Sequence, residues 1–117
     1  MLVCIDPGHA KNTAGKRSFD GTLLEYEFNR AVAKRLKYHL ERHGVVTMYS
    51  CDIDIATDVS LESRCKTANS ANADLFVSIH NNSMPKNFSG TMLLYNASKI
   101  SSSLIFLLAS KKLSRTL

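Results

Sequence analysis

Short apolar runs that end at turn residues alternate with amphipathic segments along the chain. An apolar run of this length, rich in β-branched residues, is typical of a buried strand. The first run is followed by Pro7-Gly8, a pair typical of a turn. The pattern predicts four strands, at Met1–Asp6, Val45–Tyr49, Asp74–His80 and Thr91–Tyr95.

The segment that begins at Glu25 has a helical period. Its apolar positions recur every four residues, and these are Phe28, Val32, Leu36 and Leu40. Gly44 lies where a helix C-terminal cap is expected, since glycine tolerates the left-handed backbone that ends many helices. This pattern predicts a first amphipathic helix.

Two further helices are predicted. Ser60 can cap a second helix, whose inward positions are Leu61, Cys65 and Ala68. The last helix is predicted from the spacing of Ile100, Leu104, Leu107 and Leu108, and we interpret the apolar run Ser103–Ala109 as its packed face. Strands that alternate with helices predict an α/β domain with a mostly parallel sheet, covered by helices on both faces.

The chain has 117 residues, 44% of them hydrophobic and 21% charged, which favours a single soluble domain over residues 1–117. No apolar run reaches the roughly 20 residues of a membrane span, and no basic-then-apolar signal peptide precedes Asp6. The net charge of +5 would suit an anionic partner. Because the basic residues are scattered and not interleaved with aromatics, we expect no nucleic-acid binding. The odd cysteine set, without a CxxC pair, predicts thiols rather than disulfides.

Three metal-capable residues are predicted at one edge of the sheet. His9 follows the first strand, His80 ends the third strand, and Glu25 begins the first helix. The carboxyl ends of parallel strands and the starts of the helices that follow share the edge where open α/β folds bind ligands. Two imidazoles and one carboxylate, with a fourth position open to water, are typical of catalytic zinc. Glu27 competes with Glu25 for this role, and each residue also has an ordinary structural explanation.

Five segments, in this order and at this spacing, resemble the zinc-dependent N-acetylmuramoyl-L-alanine amidases of the type 3 class. The segments are Ile5–His9, Glu25–Asn29, Ser60–Arg64 with Ala68-Asn69, Ala73–Asn82 and Ser89–Thr91. The resemblance implies that His9, Glu25 and His80 bind Zn²⁺. It favours Glu25 over Glu27, because Asn29 completes the family's Glu-x-x-x-Asn pattern.

The resemblance also implies a substrate and a place of action. The substrate would be peptidoglycan, cleaved at the amide between N-acetylmuramic acid and L-alanine at the bacterial cell wall. We expect Asn81 and Asn82, which follow His80, to contact this substrate.

The chain departs from the family in two places. Ala10-Lys11 replaces the usual Gly-Gly after the first histidine. The family's catalytic glutamate belongs to a later segment, which we expect beyond Leu117, so no catalytic base is identified here. We therefore expect an amidase domain that is incomplete at its C-terminus and impaired in catalysis, with an uncovered sheet edge through which it could self-associate. The alternatives are a non-catalytic zinc-containing module that binds peptidoglycan and a metal-free small-molecule site.

Overall fold

A computed structural model of the chain describes residues 1–81, 91–95 and 103–109. These residues form two helices and five strands. In chain order the elements are β1 (Leu2–Pro7), α1 (Glu25–Arg42), β2 (Val46–Tyr49), α2 (Leu61–Ser70), β3 (Leu75–His80), β4 (Thr91–Tyr95) and β5 (Ser103–Ala109).

The strands form one mixed sheet in the order β2-β1-β3-β5-β4. The pairs β2–β1, β1–β3 and β3–β5 are parallel, and β4 runs antiparallel to β5. Cys4 in the middle of β1 is in register with Met48 of β2 and with Phe76 of β3. The predicted mostly parallel sheet is confirmed.

The two helices cover opposite faces of the sheet, because successive residues of a strand point to opposite sides. Val3 and Ile5 of β1 and Ile79 of β3 pack on one face, and Val32, Leu36 and Leu40 of α1 lie against them. Cys4 and Phe76 point to the other face, where they contact Ala68 of α2. This arrangement confirms the predicted three layers.

The predicted helix ends are also confirmed. The Ser60 side chain accepts a hydrogen bond from the backbone N–H of Ser63 at the start of α2. Gly44 follows the C-terminal cap of α1 with φ of 76°, and its N–H donates to the carbonyl of Glu41. Helix α1 begins differently, since Leu24 supplies no side-chain cap and the Glu25 N–H donates to the Lys16 carbonyl at 3.0 Å.

The last predicted helix is wrong over the residues that the structure describes. Ser103–Ala109 is strand β5, which pairs with β3 on one side and β4 on the other. A strand inside a sheet that is covered on both faces shows a continuous apolar run, and over seven residues periodicity alone does not separate such a strand from a buried helix. Ile100, the first position assigned to that helix, lies outside the described residues.

The sheet ends at β2 on one side and at β4 on the other, as far as the described strands go. Self-association through such an edge stays a prediction. Neither of the two described helices combines the length and the apolar character that a membrane crossing requires.

Candidate metal centre

Three side chains from distant parts of the sequence meet at the carboxyl edge of β1 and β3. The His9 Nε2 atom lies 3.2 Å from His80 Nδ1 and 3.3 Å from Glu25 Oε1. The third distance, from His80 Nδ1 to Glu25 Oε1, is also 3.3 Å. The residues singled out in the sequence are therefore brought together into a nearly equilateral triangle of potential ligand atoms.

The size of this triangle fits a tetrahedral zinc ion. Zinc bonds to nitrogen or oxygen are about 2.0–2.1 Å long, which separates the ligand atoms of a tetrahedron by roughly 3.3 Å. The two histidine nitrogens offer a lone pair when each imidazole is neutral and carries its proton on the other ring nitrogen, and the ionised carboxylate offers one from Oε1. The side chains are 16% exposed for His9, 10% for Glu25 and 26% for His80, so a fourth ligand can reach the site from solvent.

Gly8 allows the His80 ring to reach this position. A Cβ atom at residue 8 would lie 2.3–2.6 Å from three atoms of the His80 imidazole, which is closer than non-bonded atoms approach. The Gly8 N–H donates to the Ile79 carbonyl at 3.0 Å and so extends the pairing of the two strands up to the site. The convergence of His80 with His9 and Glu25 therefore requires that residue 8 has no side chain.

His9 has an unusual backbone conformation. Its φ of 65° lies in the left-handed region, which residues other than glycine seldom occupy. Such a conformation costs about 1–3 kcal/mol and persists where the surrounding structure enforces it. The strain lies at one of the three converging residues.

Glu25 is held in place by two amide groups. Its Oε1 atom accepts a hydrogen bond from the Asn81 backbone N–H at 3.0 Å and a longer one from Asn29 Nδ2 at 3.5 Å. Asn29 is fully buried, and its Nδ2 also donates to the Gly8 carbonyl at 3.0 Å. Glu27 is exposed and accepts a hydrogen bond from the Tyr26 hydroxyl, so of the two competing glutamates only Glu25 reaches the site.

The electrostatics favour the protonation states that a metal needs. Burial lowers the pKa of His9 and outweighs the opposite effect of the Glu25 charge, so the imidazole is neutral at pH 7. Burial would raise the pKa of Glu25, but the contact with His80 and the hydrogen bond from the Asn81 N–H reverse this effect, and the net pKa lies below its ordinary value. The carboxylate is therefore ionised.

Of the two asparagines predicted to bind substrate, Asn81 belongs to the described residues and Asn82 does not. The backbone N–H of Asn81 contacts Glu25, and its buried side-chain amide has no hydrogen-bond partner among the residues that the structure describes. Asn82 lies outside those residues. A substrate role for either residue stays a prediction.

Asp58 was missed by the sequence reasoning. Its Oδ2 atom lies 3.9 Å from His9 Nδ1, on the opposite side of the ring from the other two potential ligands. The residue belongs to the irregular segment between β2 and α2, where no periodicity marks a position as inward. Only the tertiary structure places it next to the site.

Comparison with known proteins gives one consistent family. A family model described as N-acetylmuramoyl-L-alanine amidase matches residues 3–115. The chain is 41% identical over 80 residues to the N-acetylmuramoyl-L-alanine amidase LytC of Bacillus subtilis (strain 168). The aligned region covers 68% of this chain and 15% of that protein. It is 30% identical over 107 residues to the germination-specific N-acetylmuramoyl-L-alanine amidase of the same organism, covering 80% of this chain and 44% of the relative.

A solved structure has the same fold. The N-acetylmuramoyl-L-alanine amidase AmiC2 of Nostoc punctiforme aligns with a TM-score of 0.75 at 27% identity, over 90% of this chain and 77% of that one. The chain spans less than half the length of the two curated relatives, at 15% and 44%.

Proposed function

The chain belongs to the N-acetylmuramoyl-L-alanine amidase family, and on that premise we propose that it is a zinc-dependent hydrolase domain acting on peptidoglycan. The bond concerned is the amide between N-acetylmuramic acid and the L-alanine of the stem peptide. Residues 1–117 would form one domain of this kind, and its place of action would be the bacterial cell wall. His9, Glu25 and His80 would be the zinc ligands.

The observation that carries this proposal is the triangle of ligand atoms, with edges of 3.2–3.3 Å. Three protein ligands with an open fourth position are typical of catalytic zinc, whereas structural zinc has four protein ligands. Zinc in such a site supplies a Lewis acid for the amide carbonyl and lowers the pKa of a bound water towards neutrality.

The residues of this chain prepare the site for that chemistry. The ionised Glu25 balances part of the charge of a divalent cation, and the Asn81 N–H and Asn29 amide fix its orientation. His9 and His80 reach the same point from neighbouring parallel strands, because Gly8 leaves room for the His80 ring.

Proton transfer is the part of the reaction that the described residues do not supply. Hydrolysis of an amide needs a general base for the attacking water and a proton for the leaving amine. The two carboxylates that interact with His9 are Glu25, a proposed ligand, and Asp58, which lies behind the ring. We propose neither as the general base. The second candidate function is a zinc-containing module that binds peptidoglycan without cleaving it.

The first experiment measures metal content. Protein purified without chelators should contain about one zinc ion per chain by mass spectrometry. His80→Ala should lose the ion, whereas His39→Ala should retain it, because His39 is an exposed residue near the C-terminal end of α1. Metal-free wild-type protein would overturn the zinc site.

The second experiment separates the enzyme from the binding module. The protein is incubated with purified muropeptides, and free stem peptides with an L-alanine N-terminus are measured by mass spectrometry. Release that is absent in His80→Ala supports the hydrolase. Binding of muropeptides by the zinc-loaded protein without release supports the module, and neither binding nor release would contradict both.

A further inference from the structure

The carboxylate of Asp58 lies behind His9, where it can act on the metal centre without touching the metal. The Nε2 atom of His9 faces Glu25 and His80, and its Nδ1 atom faces Asp58 Oδ2 at 3.9 Å. The Asp58 side chain is 33% exposed, so it is partly shielded from solvent.

Asp58 is fixed by contacts to the loop that follows His9. The Thr13 hydroxyl donates to Asp58 Oδ2 at 2.5 Å, and the Asp58 backbone N–H donates to Asn12 Oδ1 at 2.7 Å. The same Thr13 hydroxyl accepts the backbone N–H of Ala10 at 3.0 Å. The Thr13 hydroxyl therefore holds both the Asp58 carboxylate and the backbone of Ala10, which follows His9.

Arg64 fixes Asp58 from the other side. Its Nη2 atom donates to Asp58 Oδ1 at 2.9 Å, and its Nη1 atom donates to Asp6 Oδ1 and to the Pro7 carbonyl, each at 2.8 Å. The Arg64 side chain is 4% exposed. This buried guanidinium connects Asp58 to the end of β1, immediately before Gly8 and His9.

We propose that Asp58 is a positioning residue that accepts the Nδ1–H of His9 and thereby keeps the lone pair of Nε2 directed at the metal. The proposal rests on the proposed function, because it requires His9 to bind zinc through Nε2. Histidines that bind a metal usually donate their other ring N–H to a carboxylate or carbonyl, which fixes the tautomer and makes the ligand more basic. The 3.9 Å separation is about 1 Å longer than a direct hydrogen bond. We expect it to shorten when zinc is bound.

The test compares zinc affinities measured by competition with a chromophoric chelator. Asp58→Ala should raise the zinc dissociation constant about 10- to 100-fold. Asp58→Asn should have a smaller effect, because the amide oxygen still accepts the Nδ1–H but carries no charge. Asp54→Asn is the matched control, since Asp54 lies in the same segment and pairs with Lys34 at 3.4 Å but has a side chain that is 77% exposed. It should bind zinc within about twofold of wild type, because exposed ion pairs contribute little.

A second readout separates positioning from a structural role. In zinc-loaded wild-type protein, ¹⁵N NMR of the histidine rings should show a protonated Nδ1 on His9 in slow exchange with water. Asp58→Ala should lose this signal, whereas Asp54→Asn should keep it. If Asp58→Ala does not fold, Asp58→Asn decides the question through its affinity and its shifted His9 signal.

The outcomes distinguish the two proposals. Wild-type zinc binding, with both Asp58 variants within twofold of wild type and an unchanged His9 signal, would overturn the role of Asp58 and leave the zinc site intact. A wild-type protein that binds no zinc would overturn both.

Discussion

Gly8 leaves the space that the His80 ring fills at the candidate metal centre. The imidazole occupies the volume in which any other residue at position 8 would place its Cβ atom, at 2.3–2.6 Å from the ring. These ring atoms belong to a side chain, but that side chain is a proposed ligand and has little freedom to move. The position of the His80 ring therefore depends on the absence of a side chain at residue 8.

Gly8→Ala should displace the His80 ring and weaken zinc binding at least tenfold. A ligand that moves by about 1 Å no longer satisfies a bond of about 2.0–2.1 Å. Titration of the metal-free variant with zinc in the presence of a competing chelator measures the effect.

Gly15→Ala is the control for this substitution. Residue 15 has open space around a Cβ atom, but its φ of 72° is unfavourable for alanine. It should lose roughly 1 kcal/mol of stability in urea unfolding and keep the wild-type zinc affinity. Equal zinc affinity in Gly8→Ala and wild type would refute the role of Gly8.

The choice of Glu25 over Glu27 came from the family resemblance, and the helical period of α1 agrees with it. Glu25 precedes Phe28 by three residues and Val32 by seven, so it lies on the inward face of α1, whereas Glu27 is rotated away from that face. The structure shows the same relationship, with Glu25 buried and Glu27 exposed. Asp58 had no such signal, because its position depends on contacts with Thr13 and Arg64 that no local pattern encodes.

At the scale of elements, α2 depends on its N-terminal cap. The helix has ten residues, which is short for a helix to persist by local interactions alone. The first turn of a helix leaves backbone N–H groups without partners, and Ser60 satisfies one of them by accepting from Ser63 at 3.2 Å. This helix also contains Arg64, whose side chain donates a hydrogen bond to Asp58 beside His9. The start of α2 therefore helps to hold that contact in place.

Ser60→Ala should lower the free energy of unfolding by about 1 kcal/mol, because the cap is lost and nothing replaces it. Urea unfolding of the metal-free protein followed by circular dichroism measures the change. Ser63→Ala is the matched control, since Ser63 is exposed within the helix and supplies only backbone groups to the cap. It should be neutral or slightly stabilising, and an equal loss in both variants would rule out the cap as the cause.

The sequence predicted the strands β1 and β3 correctly and assigned β5 to the wrong kind of element. The buried strands β1 and β3 were predicted to within about a residue, because Pro7-Gly8 and the polar residues after His80 mark their ends. Strand β5 was assigned to a helix, since Leu104, Leu107 and Leu108 also fit a helical period. What identifies it as a strand is pairing with β3 and β4. The insertion of β5 between those strands is a long-range contact that the sequence pattern does not contain.

At the scale of the whole molecule, a buried ion pair joins the layer of α2 to the sheet. Asp6 of β1 is paired with Arg64 at 2.8 Å, with side chains 2% and 4% exposed. The hydroxyls of Ser50 and Ser78 donate to the two oxygens of Asp6, each at 2.5 Å. Desolvation opposes the charge on Arg64, yet the hydrogen bond from Arg64 to Asp6 keeps the pKa of the guanidinium above its ordinary value. The network therefore supplies the buried guanidinium and the buried carboxyl group with hydrogen-bond partners.

Arg64→Met should therefore be far more destabilising than a surface charge removal. It leaves Asp6 as a buried carboxylate without its cation, which typically costs about 3–5 kcal/mol. A domain of ordinary stability has about 5–15 kcal/mol in total. Lys34→Met removes a cation from the exposed pair with Asp54 and should cost less than about 1 kcal/mol.

A double-mutant cycle decides whether the pair or the side-chain volume is responsible. If the cost of Arg64→Met arises from the uncompensated charge, Asp6→Asn in the same chain should recover part of the lost stability, so the double variant is less destabilised than the sum of the single ones. Urea midpoints of the four proteins give the coupling. Strictly additive losses would mean that Arg64 stabilises the fold by packing and by its bonds to Asp58 and to the Pro7 and Val59 carbonyls, and not through Asp6.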